Sequence, residues 1–251
     1  MAGMAREPVV LYIISVVVFL AVWQAVSMST TPLFLPSPGE VAAAVPSLVG
    51  SGALTDATLS TLYVFLAGLA LGVAAGVPLG IVLGRFQVLN GVTYIPVTTF
   101  YSMPFVALIP LLVIWTGLGV ETKAIIVFIA SVFPILINTQ AGIQQTNHRL
   151  LEMATSFGAT EQQKLMDISI PFSVPYIMSG IRIAVGRAIV AAIVAELTTS
   201  ISGLGGLLSY YGNEFATAKM MVPLVMVAFI SLALTYAVKK MEERLGRWRL
   251  T

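Results

Sequence analysis

Residues 146–171 read TNHRLLEMATSFGATEQQKLMDISIP, a polar island in an otherwise apolar chain. Five charges of mixed sign (Arg149, Glu152, Glu161, Lys164 and Asp167) and the chain's one histidine, His148, fall within it. Asn147 can accept from the free amides that open a helix, and Gly158 can take the left-handed backbone that closes one. The first half therefore predicts a helix running to about Phe157. Thr160 with Gln163 three residues on forms a capping box, which predicts a second helix ending near Pro171. On the first helix Leu150, Ala154 and Phe157 recur at i, i+4 and i+7 and share one face. A segment that only connects has no use for two short, capped helices exposing Leu and Phe. A docking surface has.

The flanks say what that island is set in. Of 251 residues, 58% are hydrophobic and 10% charged, with mean hydropathy +0.96. A soluble domain carries about 25% charged residues, so this chain cannot coat a water-facing surface, and lipid must be part of its solvent. That excludes an ordinary cytosolic enzyme, a nucleic-acid binder and a disordered tail. Zero cysteines exclude disulfides, thiolate metal sites and a Cys nucleophile, and His148 with carboxylates alone makes a poor metal site. With no second ligand nearby, His148 reads as surface decoration.

A bilayer core needs roughly 20 apolar residues as helix. Such runs occur at about 9–28, 58–84, 92–116, 123–145, 173–198 and 219–238, so six transmembrane helices are expected, the fourth containing Asn138 and Gln140. With both termini in the cytoplasm, nine Lys and Arg lie inside: Arg6, Arg85, Arg149, Lys164, Lys239, Lys240, Arg244, Arg247 and Arg249. Lys123 and Lys219 lie outside, and Arg182 and Arg187 lie within the fifth span. Nine against two satisfies the positive-inside rule. Arg6 before an apolar run, with Ala25-Val26-Ser27 after it, has features of a cleavable signal, but the run is longer than such signals carry, and retention is expected. The chain divides into 1–55 (first span and an outer interfacial helix), a core of 56–240 that includes the island at 146–171, and a tail at 241–251.

Between the spans, Ser37, Pro38 and Glu40 predict a capped outer helix from Pro38 to about Val49. Gly68, Gly72, Gly76, Gly80 and Gly84 recur every four residues, so span two keeps a small face that another helix backbone can approach. That face reads first as packing inside one subunit and second as a sliding surface for helix rocking. Pro78 within it should kink the helix. Span three, with Pro96, Pro104 and Pro110 among Tyr94, Phe100, Tyr101 and Phe105, reads as a broken helix, tolerated at membrane depth where protein or a wet cavity satisfies the freed carbonyls. After span five, Gly203, Gly205 and Gly206 break the helix, and a short outer helix can follow.

At Glu152-Met153-Ala154, three residues, Gly158, nine residues and Ile168-Ser169-Ile170-Pro171, the chain resembles the permease subunits of type I ABC importers, whose cytoplasmic motif runs E-A-A, three residues, G, nine residues, I-x-L-P. All spacings agree, and the two departures, Met153 and Ile170, are apolar. The pieces LFLPSPGEV, PLLVIWTGLG, FPILINTQAGI, PYIMSGIRIAVGRAIVAAIVAEL and SGLGGLL look like the nitrate/sulfonate/taurine branch, which includes importers of bicarbonate and of flat vitamin precursors. The resemblance implies an all-α integral membrane fold of the type I importer (MetI-like) kind. It also implies a homodimer in the bacterial inner membrane, ATP-binding-cassette ATPase subunits docked beneath, and an external binding protein that delivers a small solute, with a small anion favoured. Leu150, Glu152, Ala154, Phe157, Gly158 and Ala159 would then couple to the ATPase, with Glu152 paired to a basic group of the partner or of this subunit. This chain would hold no cofactor, ATP and Mg belonging to the partner. In accord, it has no G-x-x-x-x-G-K-[ST], and no lysine follows a glycine.

Tyr101, Ser102, Met103, Ser131, Asn138, Arg187 and Glu196 are the residues expected along the translocation path. Arg182 can snorkel to the inner surface. Arg187 is deeper and must face protein or water, where it either attracts an anionic cargo or forms a structural ion pair with Glu196. Nine residues of helix separate those two by about 13 Å, so such a pair requires bending or a second subunit. A stand-alone secondary transporter would show inverted repeats and midplane carboxylates, whereas Glu196 is the one acidic residue inside a span. An intramembrane enzyme would need a nucleophile or metal cluster that the chain lacks.

Overall fold

The computed structural model describes residues 6–199 and 202–245. Arg247, Arg249 and most of the tail at 241–251 lie outside the described residues, as does the side chain of Arg6. Among the described residues, five helices are long and apolar enough to cross a membrane, and a sixth crossing is available if one sharply bent helix pair counts as a span. The long helices are α1 (Arg6–Met28), α3 (Ala53–Arg85), α6 (Val120–Gln144), α9 (Ile170–Thr199) and α11 (Thr217–Leu245). Between them lie α2 (Pro38–Gly50), α4 (Gln87–Ser102), α5 (Ile109–Thr116), α7 (His148–Ser156), the short α8 (Glu161–Gln163) and α10 (Gly203–Asn213).

The core is a three-helix layer in which α6 lies between α3 and α9. The glycine ladder of α3 is what brings α6 so close. A Cβ at Gly68 would sit 2.7 Å from the backbone oxygen of Ala124, and one at Gly80 would sit 2.6 Å from that of Leu136. On the other side, a Cβ at Gly180 of α9 would lie 3.1 Å from the Pro134 oxygen. In lipid, where association rests on close van der Waals packing rather than on water's exclusion, such backbone approach is the main cohesive device. The ladder is thus occupied within one subunit and is not a free sliding face. Val64, Phe65, Ile126, Val127, Ala188 and Ala192 complete the buried layer. α3 runs unbroken through Pro78.

The peripheral helices are looser. Only 6% of the apolar window of α1 is buried within the described residues, which leaves its surface open to lipid or a neighbouring helix. Its Trp23 ring nitrogen donates to the Pro36 carbonyl at 3.0 Å and fixes the turn into α2. There Ser37 accepts from the Glu40 amide at 3.2 Å, while the Glu40 carboxylate accepts from the Ser37 amide at 2.7 Å. This is the expected capping box, and it aims Val41 and Leu48 inward onto Leu54, Leu204 and Val222.

Three expectations change. Span three starts earlier than 92, at Gln87, and its two halves meet at 90°. Met103 is extended (φ −68°, ψ 134°) because the ring of Pro104 excludes the helical region for the residue before it. The second helix of the island does not end near Pro171. A π-helical turn over Lys164–Ser169 leads straight into α9, its wider winding making room for a proline that would clash in a regular turn. Finally, Gly205 and Gly206 do not break a helix but lie buried in the first turn of α10.

Candidate functional site

At one end of the core, α7 forms as its caps dictate. The Asn147 side chain accepts from the Arg149 amide at 3.0 Å, Phe157 terminates the helix and Gly158 takes φ +82°. Leu150, Met153 and Phe157 are 40%, 54% and 85% exposed, an apolar strip that the described residues leave open. Ala154 lies on the same side, half-buried, as is Ala159 beyond the cap. Glu152 is on the opposite, exposed side and pairs with His148 one turn back, at 3.1 Å. Within this chain Glu152 and His148 are thus neighbours on one helix. Replacing Asn147 by Ala is expected to cost about 1 kcal/mol of local helix stability, read as faster amide exchange over 148–156 with α3 and α6 unchanged.

Behind α7 lies a polar cleft lined by Arg85, Glu152, Thr155, Glu161 and Lys164. Lys164 donates to the Thr155 hydroxyl at 3.1 Å. Glu161 pairs with both Lys164 and Arg85, the last residue of α3. This linkage was not foreseen from the sequence, since the two ends are 76 residues apart. Exposed pairs contribute about 0–1 kcal/mol each, so they set the position of α7 against α3 more than they stabilise it. Arg182 is likewise satisfied by this chain, donating to Glu242 of α11 at 3.1 Å, rather than by snorkelling alone.

In the middle of the layer, the broken α4–α5 pair meets α9. The Arg187 guanidinium carbon lies 4.2 Å from the centre of the Tyr101 ring, a cation–π contact, and a guanidinium nitrogen is 3.5 Å from the Tyr101 carbonyl. Phe100, Met103, Phe105 and Phe133 line the small pocket around them, and Ser102 is exposed beside it. Tyr101, Ser102, Met103 and Arg187 are thus brought together at the break.

The remaining expected path residues are elsewhere. Ser131 is buried against Gly72 in the α3–α6 seam and donates to the Phe128 carbonyl at 3.0 Å. Asn138 bonds back to the Pro134 carbonyl of its own helix at 2.8 Å, its Cβ facing Gly180. Glu196 is fully buried, its carboxylate accepting from Thr61 at 2.8 Å and from the Gly205 amide at 2.9 Å. Within this chain Ser131 and Glu196 are buried in helix–helix contacts, away from the α4–α5 break. The Arg187–Glu196 ion pair is not made, because nine residues at 3.6 per turn place the two on opposite faces of α9. Lys123 is buried and donates to the Ser202 hydroxyl at 2.7 Å.

Known proteins resemble this chain. The family model described as the binding-protein-dependent transport system inner membrane component matches residues 76–248. The chain is 29% identical over 247 residues to the taurine transport system permease protein TauC of Escherichia coli, covering 96% of this chain and 90% of that protein. It is 32% identical over 237 residues to the riboflavin transport system permease protein RibX of Chloroflexus aurantiacus, covering 94% and 88%. A chain of the MetNI methionine ABC transporter in an inward facing conformation superposes with TM-score 0.66 at 18% identity, covering 76% of this chain and 95% of that one, a likeness of fold. By the family match and the identities, this chain belongs to the inner membrane components of binding-protein-dependent transport systems, the permease subunits of ABC importers.

Proposed function

We propose that two copies of this chain form the path of an importer for a small organic anion in a bacterial inner membrane, with both termini cytoplasmic. An external binding protein delivers the cargo, and one ATP-binding-cassette subunit, holding ATP and Mg, seats on the Leu150–Met153–Phe157 strip of each copy. Closure of the ATPases would pull α7. The pull would pass through Lys164, Glu161 and Arg85 to α3, and through the π-helical turn to α9. Because α3, α6 and α9 touch backbone to backbone, they would rock as one body against the jointed α4–α5 pair.

The observation that carries an anionic cargo is Arg187. It is a half-buried cation deep in a span, with no carboxylate paired to it among the described residues. Such a charge is costly in a membrane unless it faces water, protein or cargo. Taurine and aliphatic sulfonates, named for the relatives TauC and SsuC, carry the fixed negative charge that it would attract. A flat heterocycle is the second reading, favoured by the parallel Phe100 and Phe133 rings 5.8 Å apart in the same pocket.

Uptake of radiolabelled taurine and of riboflavin by proteoliposomes holding the permease, its ATPase and its binding protein separates the two. A hydrogen bond to a charged group contributes about 1.5–3 kcal/mol, so Arg187→Gln is expected to lower sulfonate uptake roughly ten- to a hundredfold. Cargo affinity of the binding protein stays unchanged. Riboflavin uptake that is insensitive to the substitution, with no sulfonate uptake in the native protein, overturns the anionic reading.

A further inference from the structure

The first turn of α10 lies inside the protein. Gly203 (φ +86°), Leu204, Gly205 and Gly206 are buried, and so are Glu196, Thr61 and Lys123. The first amides of a helix have no partner within it. Here two of them are met by side chains from other elements: Gly205 donates to the Glu196 carboxylate and Leu204 donates to the Thr61 hydroxyl, both at 2.9 Å. That hydroxyl in turn donates to Glu196. A carboxylate is also favoured at this end of a helix by the backbone dipoles. Lys123 of α6, held to Ser202, attracts the same carboxylate. The glycines are required for the approach, since a Cβ at Gly205 would fall 2.6 Å from the Ile193 carbonyl and 2.7 Å from the Glu196 Cβ.

Each of the three core helices thus contributes one side chain (Thr61 from α3, Lys123 from α6 and Glu196 from α9), and together they grip the start of α10. From α10 the contact continues to α11, and through Leu204 to Val41, Leu48 and Val222. The grip lies at the end of the layer away from α7, because α7 adjoins the start of α9 and α10 follows its end.

We propose that Glu196 is a positioning residue, the keystone of a clasp that makes α10 and the helices packed on it move with the core, so that a pull at α7 is felt at the opposite mouth. The proposal rests on the chain being an ABC permease but not on its cargo. A buried carboxylate without its donors, or the donors without it, is strongly destabilising, so the clasp is closed or broken as a unit.

The test uses the permease–ATPase complex in nanodiscs and amide exchange with and without MgATP and vanadate, so no cargo is involved. In the native complex, trapping is expected to change exchange over both 148–156 and 203–213. In Glu196→Ala, resting exchange over 203–206 rises about tenfold as the bonds to Gly205 and Thr61 are lost. The trapped-state change at α7 persists while that at α10 disappears. Glu196→Gln leaves Lys123 unbalanced, and adding Lys123→Met to it should restore part of the α10 response. If Glu196→Ala does not reach the membrane, Thr61→Val, nearly isosteric, is read in the same way. An α10 response to vanadate that persists in whichever of these variants is read overturns the clasp. So does resting exchange over 203–206 equal to that of the native complex.

Discussion

Phe157→Asp is expected to abolish ATP-driven uptake while leaving the subunit folded and inserted. Phe157 is the most exposed large apolar side chain of the island, and it follows the last turn of α7 rather than supporting it, so its loss costs the isolated subunit little. At a docked interface the balance differs. Fully burying a Leu, Met or Phe side chain contributes about 1.5–3 kcal/mol, and Phe157 is flanked there by Leu150 and Met153. An aspartate removes that burial and carries a charge into the contact, where desolvation costs several kcal/mol unless it is paired. Every 1.4 kcal/mol is a factor of ten in affinity, so co-purification of the ATPase should fall by at least about a hundredfold. The melting temperature of the permease alone should stay at the native value. Ala154→Arg should also block uptake, but Ala154 is half-buried, so its loss of function mixes docking with folding. Full recovery of the ATPase with the Phe157→Asp subunit, together with native uptake, would show that the strip docks nothing.

What could be read from the chain alone follows the range of the forces involved. Helix ends are decided by neighbours within four residues. Ser37 with Glu40, Asn147, Thr160 with Gln163, and Gly158 all cap where their spacing says. The period of the glycine ladder was equally plain, but not its partner, since Val127, Leu136 and Ile143 are apolar residues like dozens of others in the chain. Pro171 misled because a proline ends a regular helix, whereas a wider turn, supported by the packing of α9, carries the helix through. The partners of the charges are hidden for a different reason. Counting Lys123 by its position after a turn cannot reveal a hydroxyl at Ser202, 79 residues on, nor a carboxylate on another helix. Nor could hydropathy tell that Arg187 and Glu196, two of the three charges of one span, point to opposite sides of it, one toward Tyr101 and the other toward Thr61.

Gly68→Val is expected to eliminate the folded subunit, and Gly91→Ala to leave it intact or slightly more stable. At Gly68 a Cβ would lie 2.5 Å from the Val127 Cβ and 2.7 Å from the Ala124 carbonyl oxygen. The first neighbour is a β-branched residue with one favoured rotamer in a helix, and the second is backbone that cannot rotate aside. α6 cannot retreat, because its other side is in equally close contact, with Cβ positions at Gly142 and Gly180 falling 2.7 Å from Tyr176 and 2.9 Å from Asn138. Nor can α3 tilt about one point, since Gly76, Gly80 and Gly84 repeat the constraint along the helix. Overpacking a core costs about 1–3 kcal/mol, sometimes more, and here the strain falls on the contacts that hold the two helices together in lipid. At Gly91, by contrast, nothing lies within 4 Å of the added carbon, and alanine in a helix interior gains roughly 0.5–1 kcal/mol over glycine. Size-exclusion profiles and melting temperatures of the tagged subunit in detergent give the comparison directly. A monodisperse Gly68→Val subunit melting with the native protein would mean that α3 and α6 do not meet backbone to backbone in the membrane, and the rigid body on which coupling depends would be lost with that contact.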